Sequence, residues 1–108
     1  VMTESPGRII VLLYDGAILA LRRAAEAIEN RDWQTKSRCL SRARDILWEL
    51  NQSLNLEAGG SLAQNLRCLY NFLQRCIGEI NISNDLVRLE KAIGILEDLG
   101  GAWKKVAG

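Results

Sequence analysis

Residues 33–54, WQTKSRCLSRARDILWELNQSL, set Leu40, Ala43, Leu47, Leu50 and Leu54 at alternating steps of three and four. That spacing returns an apolar side chain to one face of an α-helix at every turn. Its heptad-like rhythm suits packing against near-antiparallel neighbours. Asp32 stands just ahead of the stretch, where an aspartate can cap the first turn, so a helix is expected to start there.

The same rhythm continues outward on both sides. Upstream, Ile9, Leu13, Ala17, Leu21, Ala24 and Ile28 form a first stripe, interrupted at Asn30 to Asp32. It opens at Ser5 and Pro6, a serine cap followed by proline at the position where a missing N–H costs nothing. No proline occurs after Pro6, so helix is permitted throughout the rest. Downstream, Asn55 to Gly60 predicts a loop in which Gly59 and Gly60 are free to take positive φ. Ser61 is placed to cap a third stripe of Leu62, Leu66, Leu69, Leu73, Cys76 or Ile77, and Ile80. Asn81 to Asn84 then offers caps before a fourth stripe of Leu86, Leu89, Ile93, Leu96 and Trp103. Four amphipathic segments with short links, and no strand-like alternation, predict an all-α, antiparallel up-and-down four-helix bundle forming one domain over 1–108. Gly16, Gly78 and Gly94 fall mid-helix at a cost of about 1 kcal/mol each. Close helix crossings are the expected reason for them.

Composition narrows the function. The 108 residues carry 14 Lys+Arg against 13 Asp+Glu, a balance unlike the basic excess of a polyanion binder. There is no histidine, which removes the commonest metal ligand and the usual general base near neutral pH. Cys39, Cys68 and Cys76 are odd in number and form no CxxC or zinc spacing. They read as reduced, buried thiols of a cytosolic protein. No apolar run approaches the ~20 residues of a membrane span, and no signal-peptide pattern is present. The chain opens at Val1, as a trimmed piece of a longer one would.

Candidate chemistry is correspondingly thin. Glu57 to Gly60 before a helix start offers an anion site only weakly, because the phosphate-binding glycine fingerprints and their lysine are missing. Glu90, Glu97 and Asp98 lack the Glu-x-x-His pattern of a di-iron bundle. Lys36, Arg38, Arg42 and Arg44 carry no acid until Asp45, yet ~100° steps spread them around more than one face, as expected of a solvated surface. Tyr14, Tyr70, Trp33, Trp48 and Trp103 lie in or beside the stripes, where aromatics pack in cores or anchor interfaces.

What remains is surplus apolar surface. Ile9 to Leu13 are five consecutive apolar residues, which wrap around a helix instead of lining one face. Ile46 to Trp48, followed by Leu50, Leu54 and Leu56, repeat the excess. A small bundle with apolar residues outside its seam is either oligomeric or built to hold an apolar partner segment.

Three blocks of sequence stand out together. The first is Ser5-Pro6, then Ile9 to Leu13, then Tyr14-Asp15-Gly16-Ala17-Ile18. The second runs from Ile46 to Leu54, then Asn55-Leu56-Glu57, Gly59-Gly60, Leu62, Ala63, Asn65-Leu66 and Leu69-Tyr70. The third is Asp85 to Leu99 followed by Ala102-Trp103. In their order and spacing these blocks, which cover essentially the whole chain, resemble the flagellar secretion chaperone FliS family.

This resemblance implies an antiparallel helical bundle in the bacterial cytosol, without catalytic activity, cofactor or metal. It implies a partner, the disordered C-terminal segment of flagellin, held in apolar grooves so that it does not polymerise before export. Other flagellar proteins stand open as further partners, whereas nucleic acid and membrane insertion are not implied. The bundle is expected as a monomer or weak homodimer. Residues for the contact surface are Ile10, Leu12, Leu13 and Tyr14 on the first helix, Leu54 and Leu56 near the first loop, and Leu62, Leu66 and Tyr70 on the third helix. Two departures stand out. The family's N-terminal extension is absent ahead of Val1, and Gly100-Gly101 occupy the place of better helix formers, which predicts a frayed final turn. The alternative reading is a structural homo-oligomeric bundle whose surplus apolar surface meets itself.

Overall fold

A computed structural model describes residues 6–107. Four helices follow one another: α1 (Pro6–Glu29), α2 (Trp33–Gln52), α3 (Leu56–Ser83) and α4 (Leu86–Ala107). Pro6 is the first residue of α1, and its expected Ser5 cap lies outside the described residues. α1 ends as Arg31 takes φ 56°, letting its N–H reach the Ile28 carbonyl at 3.1 Å and the Asp32 N–H reach Ala27 at 2.8 Å. These crossed bonds satisfy carbonyls that a helix end leaves unpaired. Asp32 then caps α2 as expected, its carboxylate accepting from the Thr35 N–H at 3.2 Å. Hydrogen bonding to the Thr35 side chain, and then to its N–H, holds the Asp32 carboxyl below the usual aspartate range. At the far side Asn84, in the left-handed region, closes α3, and Asp85 accepts from the Arg88 N–H at 3.1 Å to open α4.

Each helix packs against its chain neighbour, and α1 also packs closely on α4, which closes the ring. Side-chain pairs fix the directions. Arg22 of α1 meets Glu97 of α4 while Asp15 meets Lys104 at 3.2 Å, so these helices are antiparallel. Asn51 with Asn71, and Ser37 with Asn81, show the same for α2 and α3. The up-and-down bundle is therefore as expected, among the described residues without a strand. The core is filled by Leu21, Leu40, Leu47, Leu73, Ile77, Leu89, Ile93 and Leu96, with Ala17, Ala20 and Ala24 of α1 allowing its two neighbours close approach.

Several local expectations change. The loop placed at Asn55 to Gly60 is largely helical: Asn55, not Ser61, caps α3, accepting from the Ala58 N–H at 3.0 Å. Only Gly60 leaves the helical region, at φ 55° and ψ −135°, and it kinks α3 after a single turn. In α1 the inward register passes through Val11 and Tyr14, leaving Ile9 half exposed. Lys36, read as part of a solvated face, is buried, its ammonium donating to the Asn81 carbonyl at 2.8 Å and the Asn84 side-chain oxygen at 2.7 Å. Cys68 is exposed, and Cys39 and Cys76 are only partly buried. α4 runs on through Gly100 and Gly101, because Gly100 is covered by Tyr14.

The mid-helix glycines divide. A Cβ on Gly16 would approach Ile46 Cδ1 at 3.3 Å, a close α1–α2 crossing, whereas one on Gly94 would meet nothing within 4 Å. Gly94→Ala is therefore expected to raise unfolding stability by about 0.5 to 1 kcal/mol. Gly60→Ala, forced into a conformation that side chains resist, should lower it by about 1 to 3 kcal/mol. Urea titration followed by circular dichroism measures both; a Gly94→Ala variant no more stable than the parent would contradict the open space at that position.

Candidate functional site

The kink at Gly60 shapes one end of the bundle. It folds the first turn of α3 so tightly that a Cβ on Gly59 would sit 2.6 Å from that of Ala63. Beside this turn opens a cleft of about 300 Å³, bounded by the start of α1, the end of α2, the start of α3 and the end of α4. Ile10, Leu50, Leu54, Leu62 and Leu66 form apolar walls, with Tyr70 and Trp103 toward the interior. Ser53 and Asn55 add polar groups at its edge. Leu62 is 65% exposed, so a large apolar side chain stands in water at the cleft.

A hydrogen-bonded aromatic cluster lies behind these walls. The Tyr14 and Tyr70 hydroxyls are 2.6 Å apart and fully buried, joining α1 and α3 across the bundle diagonal. Their rings are tilted by 56° with centroids 6.4 Å apart. The Trp103 indole N–H, from α4, also hydrogen-bonds the Tyr14 hydroxyl. Burial pushes the Tyr14 phenol above its ordinary value, and the hydrogen bonds from Tyr70 and Trp103 offset this in part. Burial also drives Tyr70 upward, reinforced by its hydrogen bond to Tyr14.

Of the residues expected at a contact surface, Ile10, Leu54, Leu62, Leu66 and Tyr70 converge on this cleft. Tyr14 lies wholly behind it. Leu13 is half-buried against the core, and neither Leu12, exposed on α1, nor Leu56 lines the cleft. Leu50, Ala63 and Trp103 line it without having been singled out for contact. Leu50 and Trp103 belonged to stripes assigned to the core. Only the four helix ends, brought together, turn those stripe positions into a wall.

The apolar surface continues along α3 and α4. Leu69 and Leu99 are half-buried between this cleft and a second slot of about 190 Å³, which includes Phe72, Cys76, Arg88, Lys91 and Ile95. Arg88, which lines it, is paired with Glu79 of α3 at 2.6 Å. Among the described residues no cluster of three His, Cys, Asp or Glu side chains is arranged to hold a metal ion, and no helix is long and apolar enough to cross a membrane.

A family model described as "Flagellar protein FliS" matches residues 1–108. The chain belongs to the FliS family. A relative named flagellar secretion chaperone FliS from Salmonella typhimurium is 37% identical over 108 residues, covering 99% of this chain and 80% of that protein. The Bacillus subtilis protein of the same name is 35% identical over 105 residues, covering 97% and 77%. A solved structure described as a flagellar chaperone from bacteria superposes with a TM-score of 0.87 at 21% identity, covering 97% of this chain and 85% of that one. That likeness establishes the FliS-like bundle fold.

The tyrosine pair makes the fold sensitive to alkali. A folded-state phenol value above the unfolded one, ~10, means that the folded chain keeps protons the unfolded chain has already released. The stabilising contribution is thus complete below pH ~10 and is lost as pH rises toward the raised values, by up to about 1.4 kcal/mol per pH unit for each tyrosine. Urea midpoints measured from pH 9 upward should fall more steeply in the parent than in the Tyr14→Phe/Tyr70→Phe variant. Equal slopes would remove the tyrosine pair as the cause.

Proposed function

We propose that this chain is a cytosolic export chaperone that binds the disordered C-terminal segment of flagellin, keeps it from polymerising early and supports its secretion during flagellum assembly. The observation that carries this reading is the open apolar cleft, where Leu62 is 65% exposed beside Tyr70 and Trp103. An apolar side chain left in water at the rim of an apolar cleft gains free energy when a partner covers it, at roughly 25 cal/mol per Å² buried. The seam along α3 and α4 extends that surface, which suits the apolar face of an amphipathic helix. Membership of the FliS family and the names of the relatives support the export role.

A disordered partner suits such a site. It orders only on binding, so affinity is spread over a long surface and offset by ordering entropy, which leaves the complex releasable. The chaperone acts as a binding protein without catalytic chemistry, as a monomer or weak homodimer.

Isothermal titration with the flagellin C-terminal segment tests the reading. Leu62→Asp, at an exposed position, should leave helicity unchanged and weaken binding at least tenfold, a loss of about 1.4 kcal/mol or more. Leu12→Asp, exposed on α1 but outside the cleft, should change affinity by less than twofold. A folded parent that binds no flagellin segment at tens of micromolar would overturn the proposal, and a closed oligomer indifferent to the segment in sedimentation would favour self-association.

A further inference from the structure

The basic stretch of α2 separates into different environments in the folded chain. Lys36 turns inward, with the Trp33 ring 5.2 Å from its ammonium, and Arg38 reaches back to the Thr35 hydroxyl. Arg44 instead lies along the α2–α3 seam. Its guanidinium rests over Gly78, 3.7 Å from where a Cβ would stand, while its backbone carbonyl accepts from the Gln74 side chain at 3.1 Å. Trp48, one turn farther along α2, is 53% exposed and borders the same shallow depression as Arg44 and Gln74.

The opposite wall of the seam is also basic. Arg67 of α3 donates to the Asn51 side chain at 3.1 Å, and Asn51 in turn donates to Asn71 at 2.9 Å. Asn71 and Gly78 therefore mark the side of α3 that faces α2. Arg75 is four residues from one and three from the other, which places it on that same side. None of Arg44, Arg67 and Arg75 is in an ion pair among the described residues. Asp45 is the acid bordering the depression, and Glu49 and Arg42 flank Trp48 in the adjoining one.

We propose that this α2–α3 face docks an acidic polypeptide segment, with an apolar side chain against Trp48 and carboxylates on Arg44, Arg67 and Arg75. Tryptophan and arginine are the side chains that most often concentrate binding energy at interfaces. A guanidinium matches a carboxylate in paired hydrogen bonds, and Arg44 beside the Trp48 indole, with Arg67 and Arg75 farther along the same seam, favours negative charge beside an apolar group. A nucleic acid matches less well, because the whole chain carries a net charge of only +1, whereas a polyphosphate partner is met by a strong basic excess. The face shares no lining residue with the apolar cleft, so the two surfaces can be occupied together.

Titrating a short glutamate–leucine peptide into the full ¹⁵N-labelled chain tests the proposal, read at the indole N–H signals and assigned with Trp48→Phe. The Trp48 signal should move saturably, while a lysine–leucine peptide leaves it in place. Arg44→Gln/Arg75→Gln should weaken the interaction at least tenfold, and Leu62→Asp should leave it unchanged. The proposal is overturned by a Trp48 signal that stays still at millimolar peptide or responds equally to the lysine peptide. It is equally overturned by movement confined to Trp103, or by tighter binding of an oligothymidylate.

Discussion

The hydroxyl contact between Tyr14 and Tyr70 sits where a four-helix ring is hardest to hold, across its diagonal. α1 and α3 are not neighbours in the ring, so their backbones make no close approach there. Two long aromatic side chains span the gap, and each hydroxyl, fully buried, finds its partner in the other. An unpaired buried hydroxyl costs about 1 to 3 kcal/mol, so the pair selects one diagonal spacing over others. Trp103 adds α4 to the same point, and Gly100, one turn earlier, lets α4 lie against Tyr14. The aromatic cluster thereby sets the interior boundary of the cleft at that end of the bundle.

The cleft follows from this boundary and from the break at Gly60. Were α3 a straight helix from Leu56, its first turn would continue along the bundle axis. With Gly60 at φ 55° and ψ −135°, that turn is redirected and its Asn55 cap closes it locally. The walls on one side are then small, Ala58, Gly59 and Ala63, facing larger residues on the other. Stability does not depend on the exposed ion pairs nearby, since such pairs contribute little when both partners are solvated. It depends on the continuous apolar core beyond the cleft, which leaves the helix ends free to be shaped for binding.

Much of the architecture was legible in the chain. The three-and-four spacing gave four helices and most of their inward faces, though not the Val11 and Tyr14 register at the start of α1; Asp32 was recognisable as a cap, and missing histidine and scattered cysteines removed the default chemistries. The candidate site was legible only in part. Ile10 and Leu54 could be singled out because apolar residues exceeded what single-faced helices need, and Leu62, Leu66 and Tyr70 could be singled out through the family resemblance. Leu50 and Trp103 could not, because a stripe position at a helix end reads the same whether it is sealed in a core or left beside an opening. Lys36 shows the converse: a lysine among arginines reads as solvated until Asn81 and Asn84 of another helix supply its hydrogen bonds.

Local rules account for this division. Helix periodicity, capping and glycine preference act over a few residues, so the sequence by itself determined the helical class, the helix number and most of the breaks. Its family blocks carried the likeness to flagellar chaperones as well. Tertiary structure alone decided that Asn55 would cap ahead of a kink, that Tyr14 and Tyr70 would meet, and that apolar residues from four helix ends would border one cleft. Those outcomes depend on distances between residues far apart in the chain, which only packing of the whole bundle sets.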